Sequence, residues 1–431
     1  MLRPSSSAQR SRLAGWLGQF LGFVWMIAGL SPACARDEQT CAAGACPIGY
    51  QCVDSTGLCE LQTSGPALQT SLFGGIAAVG RGNIAPVVVG FAKDRQSLAV
   101  IDGNEVSFLA GPAASQNQQP AGQTSAAVRS ENGDLHVAWI RDADRTLWYG
   151  RGRAGSWQVQ QVEAAAAGTV VRPLSIAWWE GQPAVAWRAG DAAAVRVAKR
   201  GLNGEWKAQT LPSPPPPRKG AVPSSDIGRS LALAAPAAGL TVAAYDATHG
   251  DVLLSIDTGE GWSTARLAGT DPLSGADTGD VGLPVAMAVG PDGELVVAYR
   301  DASRSAVMLA RAAKGVVSHE LVASGAVPGP AGTEQRDWIG ASLSVAVRSD
   351  GSAAVAWFNG SRWSAELALQ RAAGGFARVS PPAQLLGKSR QLWPAVSGDS
   401  AIWLSWVAVD ATRGPTGSRV VQWPLPPEVW K

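Results

Sequence analysis

The sequence predicts an all-β protein built from seven repeated four-stranded units, and three observations carry that prediction. The first is composition. Hydrophobic residues make up 46% of the 431 positions and charged residues 16%, with 50 Gly and 28 Pro. A turn-rich, charge-poor chain suits strands, whereas a helical bundle needs Glu and Lys on its outer faces. The second is an offset. Gly133, Gly181, Gly239, Gly293 and Gly351 are each followed six residues later by an aromatic, namely Trp139, Trp187, Tyr245, Tyr299 and Trp357, with Ala just before it. The third is spacing. With the looser copies Gly90-Phe91 and Ser405-Trp406, the seven aromatics lie 48, 48, 58, 54, 58 and 49 residues apart. Repeats of about 40–50 residues with four strands each are the signature of a β-propeller. Seven blades are expected, with six or eight as the alternatives.

Residues 1–35 read as an export signal. Arg3, Arg10 and Arg12 precede an uncharged stretch from Leu13 to Ala33, which ends in small residues. Removing it takes three positive charges from a net of +2 and leaves about −1. Two processing routes fit. Ala33-Cys34-Ala35 matches the A-x-A pattern of an ordinary signal peptidase. Leu30-Ser31-Pro32-Ala33-Cys34 resembles a bacterial lipobox, which implies a lipidated Cys34 and a membrane tether, although Leu30 lies one place further from the cysteine than usual. An uncleaved anchor is the third reading, since about 20 apolar residues can span a bilayer. The expected location is the cell envelope, lipid-anchored or periplasmic, or the extracellular space.

Residues 36–62 form a small cysteine-rich segment. After Cys34, the cysteines are Cys41, Cys46, Cys52 and Cys59, and the remaining 372 residues have none. Four cysteines in an exported chain predict two disulfides standing in for a core too short to bury. Zinc is the weaker reading, because there is no C-x-x-C pair and no nearby histidine. The run CAAGACPIGYQCVDSTGLC resembles the C-P-x-G-Y-x-C modules that follow signal peptides in secreted proteins.

Residues 63–431 hold the blades. In the third, PLSIAWW, PAVAWR, AVRVAKR and EWKAQTL read as four strands separated by EGQ, AGDA and GLNG. The last unit lacks an outer strand, and residues between Cys59 and Leu72 are expected to supply it and close the ring.

Turns within the first strand pair are terse and structural. The connections after the aromatics are more polar, and the links between blades are long and irregular. Propeller geometry puts these two loop sets on one face, where binding usually resides. The candidate ligand contacts are therefore Asp142 and Arg145, Asp246 and His249, Asp301 and Arg304, and Arg362 with Trp363. These offer donors and acceptors for hydroxyl or carboxylate groups. For any single residue, turn formation is the competing account. Trp338 is a further exposed aromatic candidate.

Ser255-Ile-Asp257-Thr-Gly259-Glu-Gly261-Trp262 resembles the Asp-box of sialidase-type propellers, with Gly261 where Thr is usual. The resemblance implies a folding element away from an active site. A sialidase also needs three arginines and a Tyr–Glu pair. Tyr245 and Tyr299 fall in the aromatic slot, Tyr149 falls in a second-strand position, and no early Arg motif is present. His136, His249 and His319 form no metal spacing, so neither metal nor cofactor is expected. No basic cluster suits nucleic acid. The reading is a monomeric exported binding protein whose ligand is a glycan or a protein. The alternative is a sialidase-like glycoside hydrolase.

Overall fold

The structure, a computed structural model, describes the strands Tyr50–Val53 and Leu58–Leu61, then Leu72, then residues 75–426. Within the last range it leaves out 82–83, 93–94, 96, 104, 110–120, 142–143, 154–155, 164–169, 191, 219, 271–275, 329–332, 383–384, 386–389, 399–400 and 410–417. The export signal, with Cys34, and also Cys41 and Cys46 lie outside the described residues.

Among the described residues, seven antiparallel blade sheets follow one another along the chain, with two-stranded sheets at 50–61 before them and at 326–336 in the link between blades 5 and 6. Blades 1 to 6 span 77–109, 121–163, 170–210, 227–268, 281–324 and 339–379, each with four strands paired in chain order. Blade 7, at 390–424, has three described strands. Second strands such as Leu295–Asp301 and Ala353–Asn359 are buried nearly throughout, because a neighbouring blade covers each of their faces. Outer strands such as Ser156–Glu163 alternate with solvent. In blades 2 to 7 the register between the first and second strands shifts partway, an irregularity of the kind that bends a strand.

The core is divided among the interfaces. Seven clusters of buried side chains are present among the described residues, and each joins two adjacent blades. One joins blade 2 to blade 3 through Ile140, Leu147, Ile176 and Trp187, for instance. The cluster of Val88, Ala99, Ile101, Val407 and Val420 joins blade 7 to blade 1 and closes the ring. Serines bind neighbouring inner strands across three of the interfaces. Ser175 Oγ accepts from Leu233 N–H at 3.0 Å, Ser230 Oγ from Val285 N–H at 2.9 Å, and Ser344 Oγ from Val396 N–H at 3.0 Å. A small hydroxyl residue fits where the ring is most crowded.

The repeat holds with two corrections. The five hairpin glycines sit in the turn between first and second strands, at φ from +74° to +127°. Trp139, Trp187, Tyr299, Trp357 and Trp406 face the preceding blade. Phe91 and Tyr245 do not. In blade 4 the pairing Leu231↔Ala244 puts Ala244 in the slot that Val285↔Tyr299 gives Tyr299. Tyr245 therefore turns toward blade 5, where its hydroxyl donates to Asp280 at 2.8 Å. Between these paired positions the first hairpin of blade 4 is one residue shorter than that of blade 5, so the offset of six from Gly239 runs one place past the slot.

Most of the segment expected to supply an outer strand, 62–71, lies outside the described residues. Leu72 pairs with Ala92 in blade 1 and donates its N–H to Ser418 Oγ of blade 7 at 2.9 Å. Gln422 Nε2 donates to Pro86 O at 2.8 Å across the same junction.

Candidate functional site

The connections between second and third strands form a repeated turn on one face of the ring. In blades 2 to 6 it is closed by Arg141↔Thr146, Ala189↔Ala194, Asp246↔Asp251, Asp301↔Ala306 and Asn359↔Ser364. Its last residue has a left-handed backbone in every case: Arg145 (+57°), Ala193 (+45°), Gly250 (+72°), Ser305 (+50°) and Trp363 (+53°). That conformation turns the carbonyl toward the chain leaving for the next blade. Ala193 O accepts from Ile227 N–H, Gly250 O from Val281, Ser305 O from Gly325 and Trp363 O from Gln391, at 2.7–3.0 Å. The incoming link is then clamped to its own blade's turn. Ala247 N–H donates to Asp226 O, Ala302 to Asp280 and Gly360 to Trp338, each at 2.8 Å. Thus a threaded link separates successive turns, and a binding site here combines a turn with the link beside it.

The candidate residues fall on these equivalent turns. Asp142 lies outside the described residues, and Arg145 is exposed. Asp246 and Asp301 are buried and hold turns: Asp246 Oδ1 accepts from Thr248 N–H at 2.9 Å, and Asp301 Oδ1 from Arg304 N–H at 2.8 Å. Asn359 does the same for Ser361 and Arg362, both at 3.1 Å. It was legible as a polar residue two places after the aromatic. Arg304 is largely exposed, with its Nε 3.7 Å from Asp301. His249 lies against Asp246 and Ser224.

The sixth turn differs in kind. Trp363 is 46% exposed and Trp338, on the adjoining link, is 52% exposed. The Trp363 ring meets Phe358 edge-on at 6.0 Å, and the Arg390 guanidinium lies 4.3 Å from its centroid. Trp338 covers Gly360 so closely that a β-carbon there would come within 2.3 Å of the indole. Arg362 pairs with Asp337 at 2.7 Å. Between blades 6 and 7 lies a cavity of about 240 Å³ lined by Arg362, Glu366, Arg378 and Gln391. Glu366 Oε1 accepts from Asn359 Nδ2 at 2.7 Å. Its Oε2 is buried without a hydrogen-bond donor among the described residues, 3.6 Å from Arg378.

The opposite face, not singled out in the sequence, holds clefts as well among the described residues. One of about 1090 Å³ between blades 4 and 5 is walled by Leu254, Ile256, Ala312, Val316 and Val317. Between blades 3 and 4, Lys199 stacks on Trp179 at 4.4 Å and pairs with Asp257. Asp257 also accepts from Gly259 N–H at 3.0 Å, so it shapes its hairpin and pins two blades together.

Burial is the main cause pushing Tyr149, Tyr245 and Tyr299 up to about 12, so their hydroxyls stay protonated at neutral pH. Tyr149 lies 2.5 Å from His136, Tyr299 lies 3.0 Å from His319, and Tyr245 donates to Asp280.

No family model matches the chain, and no curated protein matches it. Solved structures do resemble it. A mutant of the Aleuria aurantia lectin in complex with alpha-methyl-L-fucoside superposes with a TM-score of 0.45 at 12% identity, covering 73% of this chain and 99% of the lectin. A protein from Lactobacillus plantarum gives 0.43 at 12% identity, covering 82% and 94%. A puromycin hydrolase gives 0.45 at 16% identity, covering 84% of this chain and 55% of its own. At these values the likeness assigns no ligand.

Proposed function

We propose that this propeller is an exported binding protein that recognises carbohydrate at the sixth turn and the link beside it. The observation that carries this reading is Trp363. A left-handed backbone costs a residue with a β-carbon roughly 1–2 kcal/mol, and glycine avoids that cost, as Gly250 does in blade 4. The left-handed position itself belongs to the turn in blades 2 to 6, so what sets blade 6 apart is the ring placed there. Here the strained position carries the largest side chain available and leaves it half-exposed beside a second exposed indole. A flat indole face next to guanidinium, carboxylate and amide groups suits a sugar ring, which has an apolar face and a hydroxyl edge.

A glycan array with the mature protein and its Trp363→Ala and Trp363→Gly variants tests the reading. The expected result is a defined set of bound glycans, lost in both variants. The glycine variant should keep or raise its melting temperature, because it removes backbone strain as well as the ring. Absence of glycan binding by the wild type, or equal binding by the variants, would overturn the proposal.

A further inference from the structure

We infer that blade 4 carries a divalent-cation site formed by Asp246, His249 and Asp251. Their ligating atoms all lie within 4.8 Å of one another. Comparison between blades separates what the turn needs from what it does not. At the first position, Asp246 corresponds to Asp301 and Asn359, and all three cap the turn through Oδ1. Three residues on, His249 replaces the Arg304 and Arg362 of blades 5 and 6. At the closing position, Asp251 stands where the other blades have Thr146, Ala194, Ala306 and Ser364. The turn forms in four other blades without a carboxylate there. In blade 4 that carboxylate is fully buried, as is Asp246.

The surroundings favour a cation. Asp251 Oδ2 accepts from Arg266 Nε at 2.7 Å and Oδ1 from Thr270 Oγ1 at 2.9 Å. Asp246 Oδ2 accepts from Ser224 Oγ at 2.6 Å. Arg266 thus pairs with Asp251, no guanidinium contact reaches Asp246 among the described residues, and the Asp280 carboxylate borders Gly250 nearby. Gly269 makes room for the group, since a β-carbon there would fall 2.3 Å from Asp251 Oδ1. The histidine completes the set through Nδ1, which lies 3.0 Å from Asp246 Oδ2 and 3.4 Å from Ser224 Oγ. A bound cation would take the place of the proton shared between that nitrogen and the Asp246 carboxylate. One nitrogen with carboxylate oxygens suits a borderline cation such as zinc better than calcium, which takes six to eight oxygens. Bound there, the cation would fasten the Ser224 link to the turn and the third strand.

The test is calorimetric titration of chelator-treated protein with Zn²⁺ and separately with Ca²⁺, with melting curves for each. One equivalent of Zn²⁺ should bind and raise the melting temperature, and Ca²⁺ should bind at least about tenfold more weakly. His249→Arg installs the residue that blades 5 and 6 use, so the turn should still form, and Asp251→Asn keeps the side-chain shape. Each should weaken Zn²⁺ binding by about tenfold or more. Failure of the wild type to bind Zn²⁺, tighter binding of Ca²⁺, or unchanged affinity in a folded His249→Arg variant would overturn the inference.

Discussion

His136 shows how far burial moves one side chain. It is 3% exposed in blade 2, with its ring 4.6 Å from that of Trp178 and its Nδ1 against the Tyr149 hydroxyl. Burial lowers its pKa from 6.5 to about 4. In the folded protein the ring stays neutral down to that value, whereas in the unfolded chain it protonates near its ordinary value. Between the two the unfolded state binds more protons, so stability falls as pH drops from about 6.5 toward 4. The loss reaches on the order of 3 kcal/mol once both values are passed. An NMR titration should show the His136 ring resonances unmoved at pH 5.5. A midpoint near 6.5 would refute the burial account. The sequence places this histidine in a strand, but its partners Tyr149 and Trp178 come from another strand and another blade, which no local pattern reveals.

Among the elements, the hairpin of Tyr50–Val53 and Leu58–Leu61 bears on the cysteines. Its register pairs Cys52 directly with Cys59. Directly opposed residues in an antiparallel pair have Cα atoms about 4.5–5.5 Å apart, inside the range a disulfide spans. We predict a Cys52–Cys59 bridge, leaving Cys41 to pair with Cys46. Peptide mapping without reduction should find both links, and intact mass should rise by about four hydrogens on reduction. A Cys41–Cys52 peptide would refute the pairing. Elements of this kind were legible because their signals are local. The apolar strands, the glycine turns and the four-strand order all follow from short runs. The clamp between links and turns was less visible. Its marks are Asp226-Ile-Gly228, Asp280-Val-Gly282 and Trp338-Ile-Gly340, in which each glycine has a left-handed φ. A β-carbon on Gly282 would come within 2.7 Å of Val252 in the preceding blade. That reason is tertiary, so the triplets read in sequence only as ends of irregular links. The aromatic offset misled in the opposite way, because a hairpin one residue shorter moved Tyr245 out of the slot that its spacing assigned.

At the scale of the whole molecule, stability is shared around a closed ring. An open repeat array can fray from its ends, because each repeat contacts only its neighbours and the outermost ones have a single partner. Here every blade has two partners, and the cluster joining blade 7 to blade 1 makes the last interface like the others. Loss of that junction would open two apolar faces at once, so no blade is free to unfold without exposing its neighbours. Ile101 is the probe for this, since it is 1% exposed and packs in the closing cluster. Ile101→Ala should cost about 2–5 kcal/mol through lost burial and a residual cavity. Because the ring is closed, that cost should appear as an earlier transition of the entire propeller rather than as separate melting of blades 1 and 7. Denaturant curves followed by tryptophan fluorescence report on indoles in several blades, and far-UV circular dichroism reports on all the strands. The two should coincide in wild type and variant, with the midpoint lowered in the variant. A variant in which fluorescence and circular dichroism separate into two transitions would mean that the junction is a local contact and not the closure on which the ring depends.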